Sequence, residues 1–372
     1  MSSRIREARR ERGWSQQRLI AEMERVAGRH GGALPGRDTL KSRISRWENC
    51  HANPDDFYRQ LLREAFGLDD HELGFVETSR EQVVTAVDEL RAHLVTARAP
   101  DPVLLEALAA QTEAIRRQDR QYGAGPLLEQ MRAHVANVEE HLSYSAFDSS
   151  RRPLAQLLAD AAALAAWQAL DLGAVDQAWR FFETASRAAR QAEDSALYAF
   201  SRMEQAHVLG EVASPQTAAE LAVAVWHGTQ RQVTPSLRCW LAAATAEMHA
   251  AAGDKTNARQ MLAISESLVD DLAGERPPYL VFDRTHLERW VGHNLALMDD
   301  PAAEPKLRQV QSELDGTFTR AGAALHLDLA TSLMHRGVID EAKHEIARAE
   351  SLARRVGSRR QLQRARRLLG NS

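Results

Sequence analysis

Apolar positions recur with a helical period along most of the chain. Leu19, Ile20, Met23 and Val26 fall on one face of a helix reaching to about Gly28, and Leu40, Ile44 and Trp47 recur at i, i+4 and i+7. Phe57, Leu61, Leu62 and Phe66 mark another helix after Pro54, while Ile5, Ala8 and Arg12 suit a short basic helix stopped by Gly13. Ser15 is placed to cap the helix that begins at Gln16, and Asp38 or Thr39 to cap the one containing Leu40. Leu104, Leu105, Leu108 and Ile115, then Leu127, Leu128, Met131, Val135, Val138 and Leu142, continue the period. The Gly-rich run from Gly28 to Gly36, the prolines at 100 and 102, and Gly123-Ala124-Gly125-Pro126 punctuate it. The pattern predicts an all-α protein.

Beyond Ser149 a longer period is superposed on the helical one. Gly173-x4-Ala178, Gly253-x4-Ala258 and Gly337-x4-Ala342 are three copies of one motif, and a degenerate copy spans Gly210 to Ala218. With a position near Ala302 the alanines recur about every 40 residues, which is the signature of a repeat array. Small residues belong where the two helices of a hairpin cross closely, and the glycine belongs in their turn. Leu172 to Trp179, followed by Phe182, Ala185 and Ala189, resembles a tetratricopeptide repeat. That resemblance implies a curved helical-hairpin solenoid with a concave binding groove. Tyr198, Arg202 and Gln205, then Trp240, then His286, Trp290 and Asn294 (beside His293 and Leu297), are the candidate lining of an effector site. Aromatic anchors beside amide and guanidinium donors suit a peptide or small-molecule effector. The competing reading of the same residues is that the tryptophans are core and the histidines satisfied surface groups.

Composition narrows the class further. Ala and Leu abound while Pro and aromatics are sparse, and 44% hydrophobic content in 372 residues is enough for more than one core. Cys50 and Cys239 match no metal-ligand spacing, which fits a reducing compartment. The charged N-terminus shows no secretory segment, and the most apolar run, Leu154 to Leu172, is interrupted by Asp160 and Gln168. A cytoplasmic protein with no membrane contact is expected. The net charge of −4 conceals an asymmetry: residues 1–47 hold 12 basic against 5 acidic residues, and residues 354–372 hold seven arginines and no acid. The body between them is therefore acidic. A basic end on an acidic body points to nucleic acid at the end alone. Because 43 of the 47 basic residues are Arg, a compositional bias, their location carries more weight than their identity.

In the N-terminal region that location is specific. If Leu40, Ile44 and Trp47 face the core, then Lys41, Ser42, Arg43 and Arg46 face outward with side chains able to hydrogen-bond base edges. Gln16 and Gln17 occupy a first helical turn, where side chain and free N–H groups can meet a phosphate. Ser15-Gln16, Ile44-Ser45-Arg46-Trp47-Glu48 and Pro54 are similar to the motif of the lambda-repressor/Cro (XRE-type) helix-turn-helix family. The resemblance implies that Gln16 fixes a phosphate while Lys41, Ser42, Arg43 and Arg46 lie near bases of double-stranded DNA. Two departures accompany it. The connection between the two helices is about 14 residues longer than the family's tight turn, and the glycine usual after the Glu-x pair is Cys50.

The seven C-terminal arginines read either as a second DNA contact or as the solvated face of a helix that caps the array. No phosphate loop, His-Glu-x-x-His, Cys-x-x-Cys or Gly-x-Ser-x-Gly motif occurs, so neither an enzyme nor a cofactor is expected. The expected division is a DNA-binding bundle at 1–75, a helical connector or dimerising segment at 76–150, and repeats at 151–372. The arrangement resembles actinobacterial regulators of this build and, more distantly, peptide-responsive quorum-sensing regulators. It implies a cytoplasmic homodimeric transcription regulator. The alternative from another class is a scaffold whose repeats dock a partner protein.

Overall fold

A computed structural model describes residues 4–29, 34–49, 51–75, 88, 90, 91, 94, 102–270, 277–280, 282–314 and 318–370. Among these residues every regular element longer than one turn is an α-helix, and the chain divides into two compact units, 1–92 and 93–372. Among them, too, no helix is long and apolar enough to cross a membrane.

The first unit contains α1 (Arg4–Glu11), α2 (Gln16–Arg29), α3 (Arg37–Glu48) and α4 (Asp56–Phe66). Its core is built from the expected stripes: Leu19, Ile20, Met23 and Val26 of α2 close on Leu40, Ile44 and Trp47 of α3 and on Leu61, Leu62 and Phe66 of α4. Ser15 caps α2 by accepting from Arg18 N at 3.1 Å, and Asp55 caps α4 by accepting from Tyr58 N. Two expectations need correction. Gly36, not Asp38 or Thr39, sits at the cap of α3 and makes no side-chain cap bond; Asp38 lies within the first turn, where a negative charge favours the helix N-terminus. Phe57 is 46% exposed, and its neighbour Tyr58 takes the buried place against Trp47. The helix α2 ends at Arg29, as its apolar stripe implied, and α3 begins at Arg37. Cys50 and residues 30–33 lie outside the described residues.

The second unit starts with α5 (Pro102–Tyr122) and α6 (Leu128–Tyr144). Five hairpins follow: α7 (Asp148–Asp171) with α8 (Val175–Gln191), α9 (Ser195–Val212) with α10 (Pro215–Thr229), α11 (Pro235–Ala251) with α12 (Lys255–Ser267), α13 (Arg284–Leu297) with α14 (Ala303–Glu313), and α15 (Thr319–His335) with α16 (Ile339–Arg355). A final helix, α17 (Arg359–Gly370), ends the unit. The repeat alanines are what allow each hairpin to close: Ala178, Ala218, Ala258 and Ala342 are all buried in the second helix of their pair. In the fourth hairpin the buried small residue is Ala303, one position past the expected 302. The turn glycines Gly173, Gly253 and Gly337 have φ of 75°, 81° and 75°, the left-handed conformation that ends the first helix and that a Cβ disfavours. The degenerate second hairpin has no such glycine, and Ser214 caps α10 there instead. In the fourth hairpin Asp299 takes the left-handed position at φ 54°.

Helices α5 and α6 are not a separate connector. Leu108, Ile115, Met131, Val135 and Val138 share one core with the first three hairpins. Nor is the array an open crescent. Arg320 on α15 binds Asp119 on α5 and Asp171 on α7, each at 2.9 Å, and Ser358 before α17 donates to Asp171 at 2.5 Å. Gly123, at φ 85°, lies so close to Val356 that a Cβ there would overlap its carbonyl group. The last elements of the array thus return to the first, and the groove expected from the repeats is closed into a central cavity.

Candidate functional site

The first unit offers a polar helix face. Lys41, Ser42, Arg43 and Arg46 are all exposed on α3, while the opposite face carries Leu40, Ile44 and Trp47 into the core. None of Lys41, Arg43 and Arg46 pairs with a carboxylate among the described residues; Arg43 rests its guanidinium 5.1 Å from the Tyr58 ring centre. The helix is held by Glu48, which is only 2% exposed. Arg9 from α1 donates to Glu48 through Nε and Nη2, Gln16 donates to it from α2 at 2.9 Å, and Arg6 stands 3.9 Å away. Burial alone would raise the Glu48 carboxyl, but hydrogen bonds from Arg9 and Gln16 and the charges of Arg9 and Arg6 outweigh it and hold it below its ordinary range. Gln16, assigned a phosphate contact by resemblance, is thus also the brace between α2 and α3. Gln17 is exposed.

The second unit encloses a cavity of about 510 Å³, within the range of small-molecule sites. Its wall comes chiefly from the first helices of the hairpins, joined by α5, the segment at Tyr279 and Leu280, and α17. Of the effector-site candidates, Trp240, His286 and Trp290 line it, and so do His293 and Leu297 beside them. The others do not. Tyr198 packs under Arg190, which donates to its hydroxyl at 3.0 Å. Arg202 and Gln205 are clasped to Glu183 of α8, and Asn294 is fully buried, donating to the Trp290 carbonyl at 2.9 Å. Residues at helical spacing diverge here because α9 and α13 pack against helices on several sides, and the side of α9 that carries Arg202 and Gln205 faces α8.

The sequence did not bring out the ionic network in the cavity wall. Along it, carboxylates and histidines alternate from one inner helix to the next: Glu204 and His207 on α9, Glu247 on α11, His293 on α13 and Asp328 on α15. His207 lies 3.5 Å from both Glu204 and Glu247, and His293 lies 3.4 Å from Glu247 and 2.6 Å from Asp328. Arg364 of α17 pairs with Asp328, and Arg360 and Arg367 pair with Glu211. Arg360 and Arg364 are therefore largely withdrawn into the unit, while Arg367 makes its pair with a side chain that stays 63% exposed. Desolvation opposes the His293 cation, but the charges of Asp328 and Glu247 win and raise it to about 9. Burial likewise opposes the Asp328 anion, yet Arg364 and His293 lower it to about 2. Glu204, whose burial is only partly offset by His207, is pushed up. The available signal was a charged residue amid apolar ones, as in Leu327-Asp328-Leu329.

Aromatic rings form the rest of the wall. Phe200 stands 4.8 Å from Tyr279 and 5.2 Å from Trp240, Trp240 lies 6.3 Å from Trp290, and His286 meets Phe318 edge-on at 5.0 Å. Seven arginines border the same space, and five of them pair with carboxylates. Arg120 donates to the Pro278 carbonyl, and Arg289 has no hydrogen bond or ion pair among the described residues. Comparison of the chain with protein-family models, curated proteins and solved structures finds no match in any of the three.

Proposed function

We propose that the chain is a sequence-specific DNA-binding transcription regulator, with α3 as the reading helix and the second unit as an effector sensor. One observation carries this reading. The face of α3 opposite the core presents Lys41, Ser42, Arg43 and Arg46 to solvent without carboxylate partners, on a helix whose orientation Glu48 fixes from within. Arginine and lysine at adjacent exposed helical positions match the acceptor edge of guanine in the major groove, and Gln16 stands at the α2 N-terminus, where phosphate is favoured. One helix makes too few contacts for genomic specificity, so the reading includes a cytoplasmic homodimer on paired half-sites.

Selection from a random duplex pool at moderate salt tests it. The expected result is an enriched palindromic site, with Arg43→Ala and Arg46→Ala each relaxing preference at one position by about 1–3 kcal/mol. Binding that shows no preference over random duplex overturns the proposal.

A further inference from the structure

We infer that the central cavity binds a small amphipathic carboxylic acid, its anionic head on Arg289 and its apolar body against Trp240, Trp290 and Phe200. This deepens the sensor reading and rests on it. The cavity wall supplies both halves of the ligand's chemistry. Five bordering guanidiniums are already neutralised by Asp and Glu, whereas Arg289 lines the space with an Nε sealed from solvent and no acceptor to meet it. A half-buried guanidinium whose sealed Nε meets no acceptor is costly unless something supplies the negative charge, and a carboxylate matches its planar fork. Its cation lies 5.7 Å from the ring centre of Trp290, so the charged anchor and the aromatic wall adjoin. Burial lowers the Arg289 pKa only against the pull of Asp328 and Glu247, which already have His293 and Arg364 as partners.

A peptide is the poorer occupant. Gripping a peptide backbone needs side-chain amides, and the two expected for it, Gln205 and Asn294, are turned into the wall; Gln361 is the one amide among the lining residues. Of the two bordering guanidiniums without a carboxylate partner, Arg120 is engaged by the Pro278 carbonyl, and one remaining at Arg289 suits a monoanion better than a phosphate ester, which draws several cations.

The test is calorimetric titration of the full-length protein, without DNA, with 1-naphthylacetate and dodecanoate and with their neutral counterparts 1-naphthylacetamide and dodecanol. At least one acid is expected to bind ten- to a hundredfold more tightly than its neutral counterpart, the span of a charge-assisted hydrogen-bonded pair. Arg289→Met should erase that preference while melting no lower than the parent, because it removes an unpaired charge; Arg289→Lys should retain part of it. Equal binding of acid and neutral counterpart, no binding by either acid, or an acid preference that survives Arg289→Met overturns the inference. Since DNA is absent, any of these outcomes leaves the DNA-reading proposal standing, and failure of that proposal leaves the titration unchanged.

Discussion

The exposed face of α3 and the wall of the cavity both carry charged residues on amphipathic helices, yet they handle charge in opposite ways. On α3, Lys41, Arg43 and Arg46 stand in water with no carboxylate partner among the described residues, and one buried carboxylate, Glu48, steadies the helix from behind. In the cavity nearly every charge is withdrawn from bulk water and matched by another helix: Glu247 by two histidines, Asp328 by His293 and Arg364, Glu211 by two arginines. A surface that leaves its charge unspent has it available for a partner. A wall that spends its charge on itself is holding helices together, and whatever remains unmatched there becomes informative. Removing one member of the buried network should therefore cost far more than removing any residue of the α3 face. Asp328→Ala strands Arg364 without a counterion beside a site of 0% exposure and leaves His293 only its 3.4 Å contact to Glu247, and a loss of about 3–5 kcal/mol is expected. Urea denaturation followed by helical circular dichroism reads it directly. A loss below about 1 kcal/mol, typical of exposed pairs, would erase the distinction drawn here.

The same network gives the second unit a pH dependence. His293 is raised from 6.5 to about 9, so the folded unit holds its proton more tightly than the unfolded chain does. Its contribution is complete below about pH 6.5 and drains away as the pH rises toward 9. Asp328 behaves in the opposite sense: its contribution is present above its ordinary value of 3.8 and is lost as the pH falls toward about 2. The melting temperature of the second unit should fall between pH 6.5 and 9, and His293→Gln should flatten that slope. A slope unchanged in the variant would assign the dependence elsewhere.

How much of each region could be read from the chain follows from the same contrast. On α3 the exposed face and the core face belong to one helix, so a spacing of three and four residues settled which side chains point outward, and the structure agrees at Lys41, Ser42, Arg43 and Arg46. The hairpins were also legible, because a left-handed turn and a close crossing each demand one residue type at one place, Gly173 and Ala178 for example. The cavity was not. Its residues come from many helices, and helical spacing could not separate the face of α9 that carries Glu204 and His207 inward from the one that turns Arg202 and Gln205 to Glu183. Closure of the array brings Asp119 and Gly123 against Arg320 and Val356, far away in sequence, with no local pattern to announce it.

Closure itself can be broken selectively. Gly123→Ala places a methyl group against the Val356 carbonyl at a φ of 85°, and about 2–3 kcal/mol of strain and overlap is expected. If the ring is what encloses the cavity, amide exchange should accelerate in α5, α15 and α17 while α11 and α12, in the middle of the array, keep their protection. Uniform acceleration would mean that the unit unfolds as a whole and that closure is no separate event.

The smallest effect expected is at Gln16, and it asks whether the α3 face depends on its brace or only on its own side chains. Gln16 donates to Glu48 at 2.9 Å, but Arg9 makes two further bonds to that carboxylate, so Gln16→Ala leaves Glu48 buried and still paired. Little stability should be lost, about 0.5–1.5 kcal/mol for one hydrogen bond. If Gln16 also meets a phosphate, affinity should weaken by a similar amount for every duplex alike, because phosphate contacts position the protein without reading sequence. Loss confined to particular base pairs would instead mean that α3 has shifted, which would place Glu48 and its partners among the determinants of specificity. Comparing the binding profiles of Gln16→Ala and Arg46→Ala on the same selected sites separates the two cases, since only Arg46 projects from the exposed face of α3 itself.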